Sequence, residues 1–213
     1  MKYKYVIWDW NGTLFDDIKI SIDTINEMLK VKNYQHTIDE KKYKEIFCFP
    51  VVEYYKNAGI DLNKHSFEEM AAIYIERYDE KQKSCCLFKN AEKTLKALNE
   101  NGINQLVISV SEKERLEKQI RRFGIVQYLS AVLGADDYYA VSKVDIAKKY
   151  FCENNINAHE VLFAGDTVHD YEVASAVGCD CILISAGHQC ENVLEQTGTV
   201  IIDDIEKILG YIC

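Results

Sequence analysis

The chain has 213 residues, of which 48% are hydrophobic and 28% are charged, a balance too apolar for a disordered protein. This length suits one large domain, or one domain with a modest insertion. Lysine and arginine number 25 against 34 acidic residues, a net charge of -9, so we expect neither nucleic acid nor an anionic membrane as partner. No apolar run approaches the roughly 20 residues needed to span a bilayer.

The eight cysteines follow no pattern typical of zinc sites or of a disulfide framework. Cys85 and Cys86 are adjacent, Cys179 and Cys181 are separated by one residue, and no CxxC pair occurs. The apolar start of the chain is interrupted by Asp9, which is unlike a signal peptide. We therefore expect a cytoplasmic protein with reduced thiols. We also expect a monomer or weak dimer.

The first strand and the second are separated by a long stretch with a helical pattern. An apolar stripe with helical spacing runs from Ile18 to Leu29. Further helix starts are predicted at the capping pairs Thr37/Glu40 and Ser66/Glu69 and at Pro50. We expect a small helical-bundle cap domain at 16–87, inserted into a core domain made of 1–15 and 88–213. Such a bundle, tethered beside the first loop of a sheet, can act as a lid.

Short apolar runs along the chain predict buried strands. They lie at 5–8, 105–108, 131–133, 161–164, 181–184 and 200–202. Helical patterns separate the later runs, and their predicted starts are the capping pairs Ser111/Glu114, Ser142/Asp145 and Thr167/Asp170. Strands that alternate with helices predict an α/β fold, a Rossmann-like parallel sheet with helices on both faces.

Acidic side chains follow two of the predicted strands. Asp9 follows the first strand, Asp166 follows the fourth, and Asp170 lies four residues further along. The carboxyl ends of parallel strands meet at one edge of a sheet, where ligands bind. Taken singly, each of these acids is equally well explained as a helix cap or turn former. Together they need a cation to offset their repulsion, and oxygen ligands suit Mg²⁺.

Over nearly its whole length the chain resembles the haloacid dehalogenase-like hydrolase superfamily, most of whose members are Mg²⁺-dependent phosphatases. Residues 9–14, Asp-Trp-Asn-Gly-Thr-Leu, resemble its DxDGTL motif, and residues 165–170 resemble its GDxxxD motif. Ser109 and Lys143 resemble the second and third motifs. The arrangement is most similar to phosphoglycolate-phosphatase-like and β-phosphoglucomutase-like members, which carry a helical cap after the first motif. The resemblance implies a phosphatase acting on a small phosphorylated metabolite.

The resemblance also implies a role for each matching residue. Asp9 is the expected nucleophile, which forms an aspartyl-phosphate, and Lys143 is expected to keep Asp9 ionised. The expected catalytic residues are Asp9, Asn11 and Lys143. The expected ligands of Mg²⁺ are Asp9, the backbone carbonyl of Asn11, Asp166 and Asp170. The expected substrate-binding residues are Gly12, Thr13, Ser109, Val110 and Lys143.

Asn11 departs from the family pattern, which has an acid at this position. That acid protonates the leaving alcohol and then activates water, and an amide does neither. The open explanations are a substrate with a good leaving group, a borrowed acid (Asp16, Asp17 or His169), a weakly active or non-catalytic phosphate binder, and a substitution introduced at position 11. A phosphonate or carbon–halogen bond hydrolase on the same scaffold is a further alternative. Asn11→Asp is expected to leave the site intact, because it is nearly isosteric.

Residues 47–50, Phe-Cys-Phe-Pro, are the candidate specificity loop by the same resemblance. The loop is aromatic and uncharged, so it offers no arginine for a second carboxylate or phosphate on the substrate. That argues against phosphoglycolate itself as the substrate. The alternative explanation of these aromatic residues is packing within the cap.

Overall fold

The computed structural model describes residues 2–135 and 142–212. Its strands are β1 (Tyr5–Trp8), β2 (Phe15–Asp16), β3 (Cys86–Leu87), β4 (Asn104–Glu112), β5 (Ala131–Ala135), β6 (Val161–Gly165), β7 (Asp180–Ile184) and β8 (Val200–Ile202). Its α-helices are α1 (Ile18–Val31), α2 (Glu40–Ile46), α3 (Val51–Asn57), α4 (Phe67–Lys81), α5 (Ala91–Glu100), α6 (Lys113–Arg122), α7 (Lys143–Asn154), α8 (Val168–Val177), α9 (Glu191–Leu194) and α10 (Leu209–Ile212).

A parallel sheet of six strands, in the order β5-β4-β1-β6-β7-β8, forms the centre of the fold. Strand β1 lies in the middle, with Tyr5 opposite Asn104 of β4 on one side and Val161 of β6 on the other. Every strand predicted from the sequence is present. The strand order reverses direction at β1, and this places a crevice at the carboxyl ends of β1, β4 and β6.

Helices cover both faces of the sheet, because successive residues of a strand point to opposite sides. On one face, Val6 and Trp8 of β1 belong to a buried cluster with residues of α5, α6 and α10. On the other, Ile7 of β1 and Phe163 of β6 belong to a cluster with residues of α7 and α8. The predicted α/β fold is therefore confirmed.

Helices α1 to α4 contribute a third hydrophobic cluster. It includes Ile25 and Leu29 of α1, Tyr43 of α2 and Met70 of α4, all fully buried. The chain enters this region through β2 and leaves it through β3, and these two short strands pair antiparallel. We propose 16–87 as the cap domain on this basis, with 1–15 and 88–213 as the core domain.

Several predicted helix starts are confirmed and two are wrong. The confirmed caps, whose side-chain oxygen accepts from the backbone three residues on, are Ser66, Ser142 and Thr167. Helix α2 is capped by Asp39 rather than Thr37, because the Asp39 carboxylate accepts from the backbone of Lys42. Ser111 caps no helix, since β4 continues through it and α6 begins at Lys113.

Two further observations concern the described residues as a set. None of the described helices is both long and apolar enough to cross a membrane. The cysteines within the described ranges are all free thiols.

Candidate active site

Three buried carboxylates meet at the carboxyl ends of β1 and β6. Asp9 directly follows β1, Asp166 directly follows β6, and Asp170 lies in the first turn of α8. Because β1 and β6 are parallel neighbours, one oxygen of each carboxylate lies within 4.8 Å of the others. Lys143 Nζ, at the start of α7, lies 2.6 Å from Asp9 Oδ1 and 2.7 Å from Asp170 Oδ1. The structure thus brings these four predicted residues together.

The charges of this cluster are not balanced by the protein alone. Burial raises the pKa of Asp9 to about 8; Lys143 opposes the rise, and the carboxylates of Asp170 and Asp166 add to it. Burial likewise raises the pKa of Asp166 to about 6, although the imidazole of His188 opposes this. Burial raises the pKa of Asp170, but Lys143 and the hydroxyl of Thr167 together more than reverse this, and the net shift is downward. Lys143 therefore acts on Asp9 in the predicted direction without overcoming burial.

Mg²⁺ fits this donor set. Three buried carboxylates share one ammonium group, and two of them have raised pKa values because a negative charge there is unfavourable. A divalent cation removes that penalty, and carboxylate oxygens are the ligands that Mg²⁺ prefers. Asp9, Asp166 and Asp170 are the carboxylates that would hold the ion.

The loop after β1 packs tightly against these acids. Thr13 Oγ1 donates a hydrogen bond of 2.8 Å to Asp166 Oδ1. Gly12 has a φ of 74°, and a Cβ at this position would collide with the Asp166 carboxylate and the His188 ring. Glycine is required here both for its backbone conformation and for the close approach of the loop to Asp166.

The side chain of Asn11 is fully engaged in hydrogen bonds. Its Nδ2 donates to Asp17 Oδ2 and to the hydroxyl of Tyr78, each at 2.8 Å. Its Oδ1 accepts from Ser111 Oγ at 3.1 Å. A carboxylate at position 11 would face the carboxylate of Asp17. Because of this contact, Asn11→Asp is not expected to leave the site intact, although the two side chains are nearly isosteric.

The end of β4 supplies the remaining predicted contacts at this edge. Ser109 is buried, and its Oγ accepts from the backbone N–H of Ser111 at 3.1 Å. Val110 is exposed to 41%. Ser111 was predicted as a helix cap and instead contacts Asn11, so the loop after β1 is joined to the end of β4.

The three acids proposed as substitutes for Asn11 have different surroundings. Asp16 is exposed, whereas Asp17 is buried and bonded directly to Asn11. Burial raises the pKa of Asp17, but His188, Tyr78 and Asn11 more than reverse this, and the net shift is downward. Burial and the nearby Lys143 lower the pKa of His169.

Residues 47–50 reach the same edge from the cap helices. The ring of Phe47 stacks on His188 at 4.6 Å between centroids, and the ring of Phe49 lies 4.8 Å from that of His169. Gln189 Nε2 donates to the carbonyl oxygen of Phe47 at 2.8 Å. Phe47 also packs on Tyr43 of α2, in line with the packing explanation, and the specificity role of this loop stays a prediction.

The sequence did not single out Tyr78, His188 or Gln189. Tyr78 belongs to α4, far along the chain from every motif, and no local pattern marks it. His188 and Gln189 could have been predicted from the sequence as site residues, because they follow β7 and therefore lie at the carboxyl edge of the sheet. Burial lowers the pKa of His188, but Asp17 outweighs this and raises it to about 8.

The chain is similar to several known proteins. The curated phosphoglycolate phosphatase of Pseudomonas fluorescens is 24% identical over 217 residues, which cover 97% of this chain and 78% of that protein. A haloacid dehalogenase-like hydrolase from Streptococcus pneumoniae has the same fold, with a TM-score of 0.85 at 17% identity over 100% of this chain and 99% of that one. Protein tyrosine kinase A of Mycobacterium tuberculosis also shares the fold, with a TM-score of 0.82 at 21% identity over 99% and 98%.

These structural neighbours differ in their described activities, so their likeness concerns the fold alone. The family model described as haloacid dehalogenase-like hydrolase matches residues 6–184, which include the loop after β1, the end of β4, Lys143 and the loop after β6. The chain therefore belongs to the haloacid dehalogenase-like hydrolase family.

Proposed function

We propose that the protein is a Mg²⁺-dependent phosphatase that hydrolyses a small phosphorylated metabolite through an aspartyl-phosphate on Asp9. The observation that carries the proposal is the buried cluster of Asp9, Asp166, Asp170 and Lys143 at the crevice of the sheet. The chain belongs to a hydrolase family, and its curated relatives include phosphatases.

In this proposal Asp9 attacks phosphorus, and the ester oxygen leaves as the new bond forms. Water then cleaves the aspartyl-phosphate and regenerates the Asp9 carboxylate. Lys143 Nζ, held between Asp9 and Asp170, orients the nucleophile and places a positive charge beside the bound phosphate. Mg²⁺ would supply charge neutralisation and in-line orientation of the phosphate.

The remaining site residues fit distinct roles in binding phosphate. Ser109 Oγ accepts from Ser111, which leaves its hydroxyl proton free for a phosphate oxygen. The hydroxyl of Thr13 is bonded to Asp166, and its backbone N–H donates to the carbonyl oxygen of Trp10 at 3.3 Å. The backbone N–H of Gly12 donates to the carbonyl oxygen of Phe15 at 2.9 Å. Gly12 and Thr13 would therefore shape the loop beside the phosphate, and Val110 would offer its backbone N–H to a phosphate oxygen. The backbone carbonyl of Asn11 would complete the ligands of Mg²⁺, while its side chain is held elsewhere.

The leaving group would contact the cap at residues 47–50. Phosphoglycolate is a substrate to test, because a curated relative is a phosphoglycolate phosphatase. Phe47 and Phe49 offer aromatic surface and no cation for its carboxylate. We therefore propose a substrate without a second anionic group near this loop.

A panel of phosphorylated metabolites, assayed for phosphate release with and without Mg²⁺, tests the function. Turnover should require Mg²⁺ and should fall to background in Asp9→Asn, which keeps the shape of the side chain and removes its nucleophilicity. Acid quench and mass spectrometry should locate a phosphate adduct on the peptide that contains Asp9. Asp23→Asn is the matched control, since Asp23 is an exposed aspartate of α1.

Two outcomes would contradict the proposal. Retained turnover in Asp9→Asn would exclude the aspartyl-phosphate. Mg²⁺-dependent binding of phosphate without turnover on any ester would identify a non-catalytic binder instead. The three clustered carboxylates already speak against a metal-free carbon–halogen hydrolase. The cytoplasmic location and the monomeric or weakly dimeric state stay predictions.

A further inference from the structure

Asp17 is a buried carboxylate that its own helix does not use. It occupies the N-cap position of α1, where an aspartate usually accepts from the first N–H groups of the helix. Asp17 makes no such side-chain bond, although it is only 2% exposed. Some other interaction must account for a carboxylate placed here, because an unpartnered buried charge is strongly unfavourable.

The carboxylate of Asp17 instead contacts residues of the active site. It has four polar partners, which belong to three segments of the chain. Its Oδ1 accepts from the backbone N–H of Gly12 at 3.1 Å and lies 3.3 Å from His188 Nε2. Its Oδ2 accepts from Asn11 Nδ2 at 2.8 Å and from the hydroxyl of Tyr78 at 2.6 Å. One carboxylate thus fixes the loop that follows the nucleophile and joins it to α4 and to the loop after β7.

This arrangement requires a neutral donor at position 11. The Nδ2 group of Asn11 supplies hydrogen atoms to both Asp17 and Tyr78, and a carboxylate has none to supply. An aspartate at position 11 would also place two carboxylates at a separation close to 2.8 Å in a buried site. Amide at 11 and carboxylate at 17 are therefore complementary.

We propose that Asn11 and Asp17 are a complementary pair, in which Asp17 is the positioning residue of the nucleophile loop and favours an amide at position 11. Asp17 acts through Gly12 and Asn11, whose backbone groups lie beside the nucleophile, and does not itself touch the substrate. The inference rests on the proposed phosphatase function for its kinetic part, whereas the pairing itself is independent of turnover.

Three variants test the pair: Asn11→Asp, Asp17→Asn and the double exchange. Each single variant should lower kcat for phenyl phosphate at saturating Mg²⁺ by about tenfold or more with little change in KM, because positioning is lost. Each should also lower Tm by about 5 °C or more, because a buried charge or donor loses its partner. The double exchange restores one amide and one carboxylate and should recover most of both kcat and Tm.

Asp23→Asn is the matched control and should keep kcat within about twofold of the unmodified protein, since Asp23 is an exposed carboxylate on the same helix and makes none of these contacts. A kcat in Asp17→Asn equal to that of the control would overturn the positioning role. Losses that simply add in the double exchange would overturn the pairing. If the unmodified protein releases no phosphate from any ester, the proposed function fails, and the Tm values still decide the pairing by recovery or addition.

Discussion

At the scale of single residues, the amide of Asn11 limits which phosphate esters the site can cleave. Its side chain has no proton to transfer, and its two N–H bonds point to Asp17 and Tyr78. An alkoxide leaving group needs a proton as its bond to phosphorus breaks, whereas a phenolate with a low pKa does not. General acid help is typically worth about 10²–10⁴-fold in rate. Without a general acid, the rate of cleavage should depend strongly on the leaving group of the phosphate ester.

We expect turnover to fall steeply as the leaving group becomes more basic. A series of ring-substituted phenyl phosphates measures this dependence, because the shape of the ester changes little while the pKa of the phenol varies. The logarithm of kcat/KM should decrease roughly linearly with that pKa, and simple alkyl phosphates should be slower still. A flat dependence would mean that another residue protonates the leaving group, and His169 would be the first to replace.

At the scale of elements, Asp170 belongs both to the capping box that begins α8 and to the acidic cluster. Thr167 Oγ1 donates to Asp170 Oδ2 at 2.7 Å, and the backbone of Asp170 donates back to Thr167 Oγ1 at 3.3 Å. The same carboxylate accepts from Lys143 through its other oxygen. The cap that begins the helix therefore also fixes the orientation of one proposed ligand of Mg²⁺.

Thr167→Ala should separate these two effects when it is compared with Ser66→Ala, which removes the cap of α4. Each change should cost about 1 kcal/mol in the free energy of unfolding, as loss of a cap usually does. Only Thr167→Ala should also reduce the rise in Tm produced by saturating Mg²⁺. Thermal melts with and without Mg²⁺ provide the measurement, and equal rises in the two variants would show that Asp170 is oriented without Thr167.

The helix starts also show what local sequence could and could not predict. Ser66, Ser142 and Thr167 were predictable, because a cap depends only on residues three positions apart. Ser111 fits the same pattern but lies in a strand, because β4 continues to Glu112, which pairs with Ala135 of β5. The hydroxyl of Ser111 bonds to Asn11, a hundred residues earlier in the chain. A contact of that range leaves no local signal, and the prediction failed there for that reason.

At the scale of the whole molecule, the acidic cluster links stability to pH and to metal. Asp9 and Asp166 have pKa values of about 8 and about 6 in the folded, metal-free protein. An unfolded aspartate has a pKa of about 4. Because the folded values are higher, these two groups contribute stability below about pH 4, and the contribution is lost as pH rises through 6 and 8. Mg²⁺ would bind the ionised forms and would therefore restore stability most at the pH values where the carboxyl groups have lost their protons.

The rise in Tm caused by saturating Mg²⁺ should consequently grow from pH 5.5 to pH 8. Asp166→Asn, which removes one of the ligands, should show a smaller rise at every pH. Thermal melts at three pH values with and without Mg²⁺ check both statements. A rise that stays constant or shrinks with pH would contradict the assignment of the cluster as the metal site.

The sheet was predictable as a whole, and so were the acids at its edge, because apolar runs and strand-end residues are read directly from the sequence. The contacts that Tyr78 and His188 make at the site could not be predicted from the sequence. Tyr78 reaches Asp17 from α4, and His188 reaches both Asp17 and Tyr43, so these contacts exist only after the cap helices pack on the core. Their formation depends on tertiary packing between segments that are distant in sequence.

The central position of β1 has a consequence for the order in which the chain acquires structure. Its neighbours in the sheet are β4 and β6. The strand β1 is among the first segments to leave the ribosome, but its backbone groups stay unpaired until residues 104–107 and 161–164 have been synthesised. The clusters of α1 to α4 need only nearby residues and are free to form earlier. During synthesis, the proposed cap domain would then form before the central sheet, and pulsed hydrogen exchange on stalled chains of increasing length would detect protection in α1 and α4 before protection in β1.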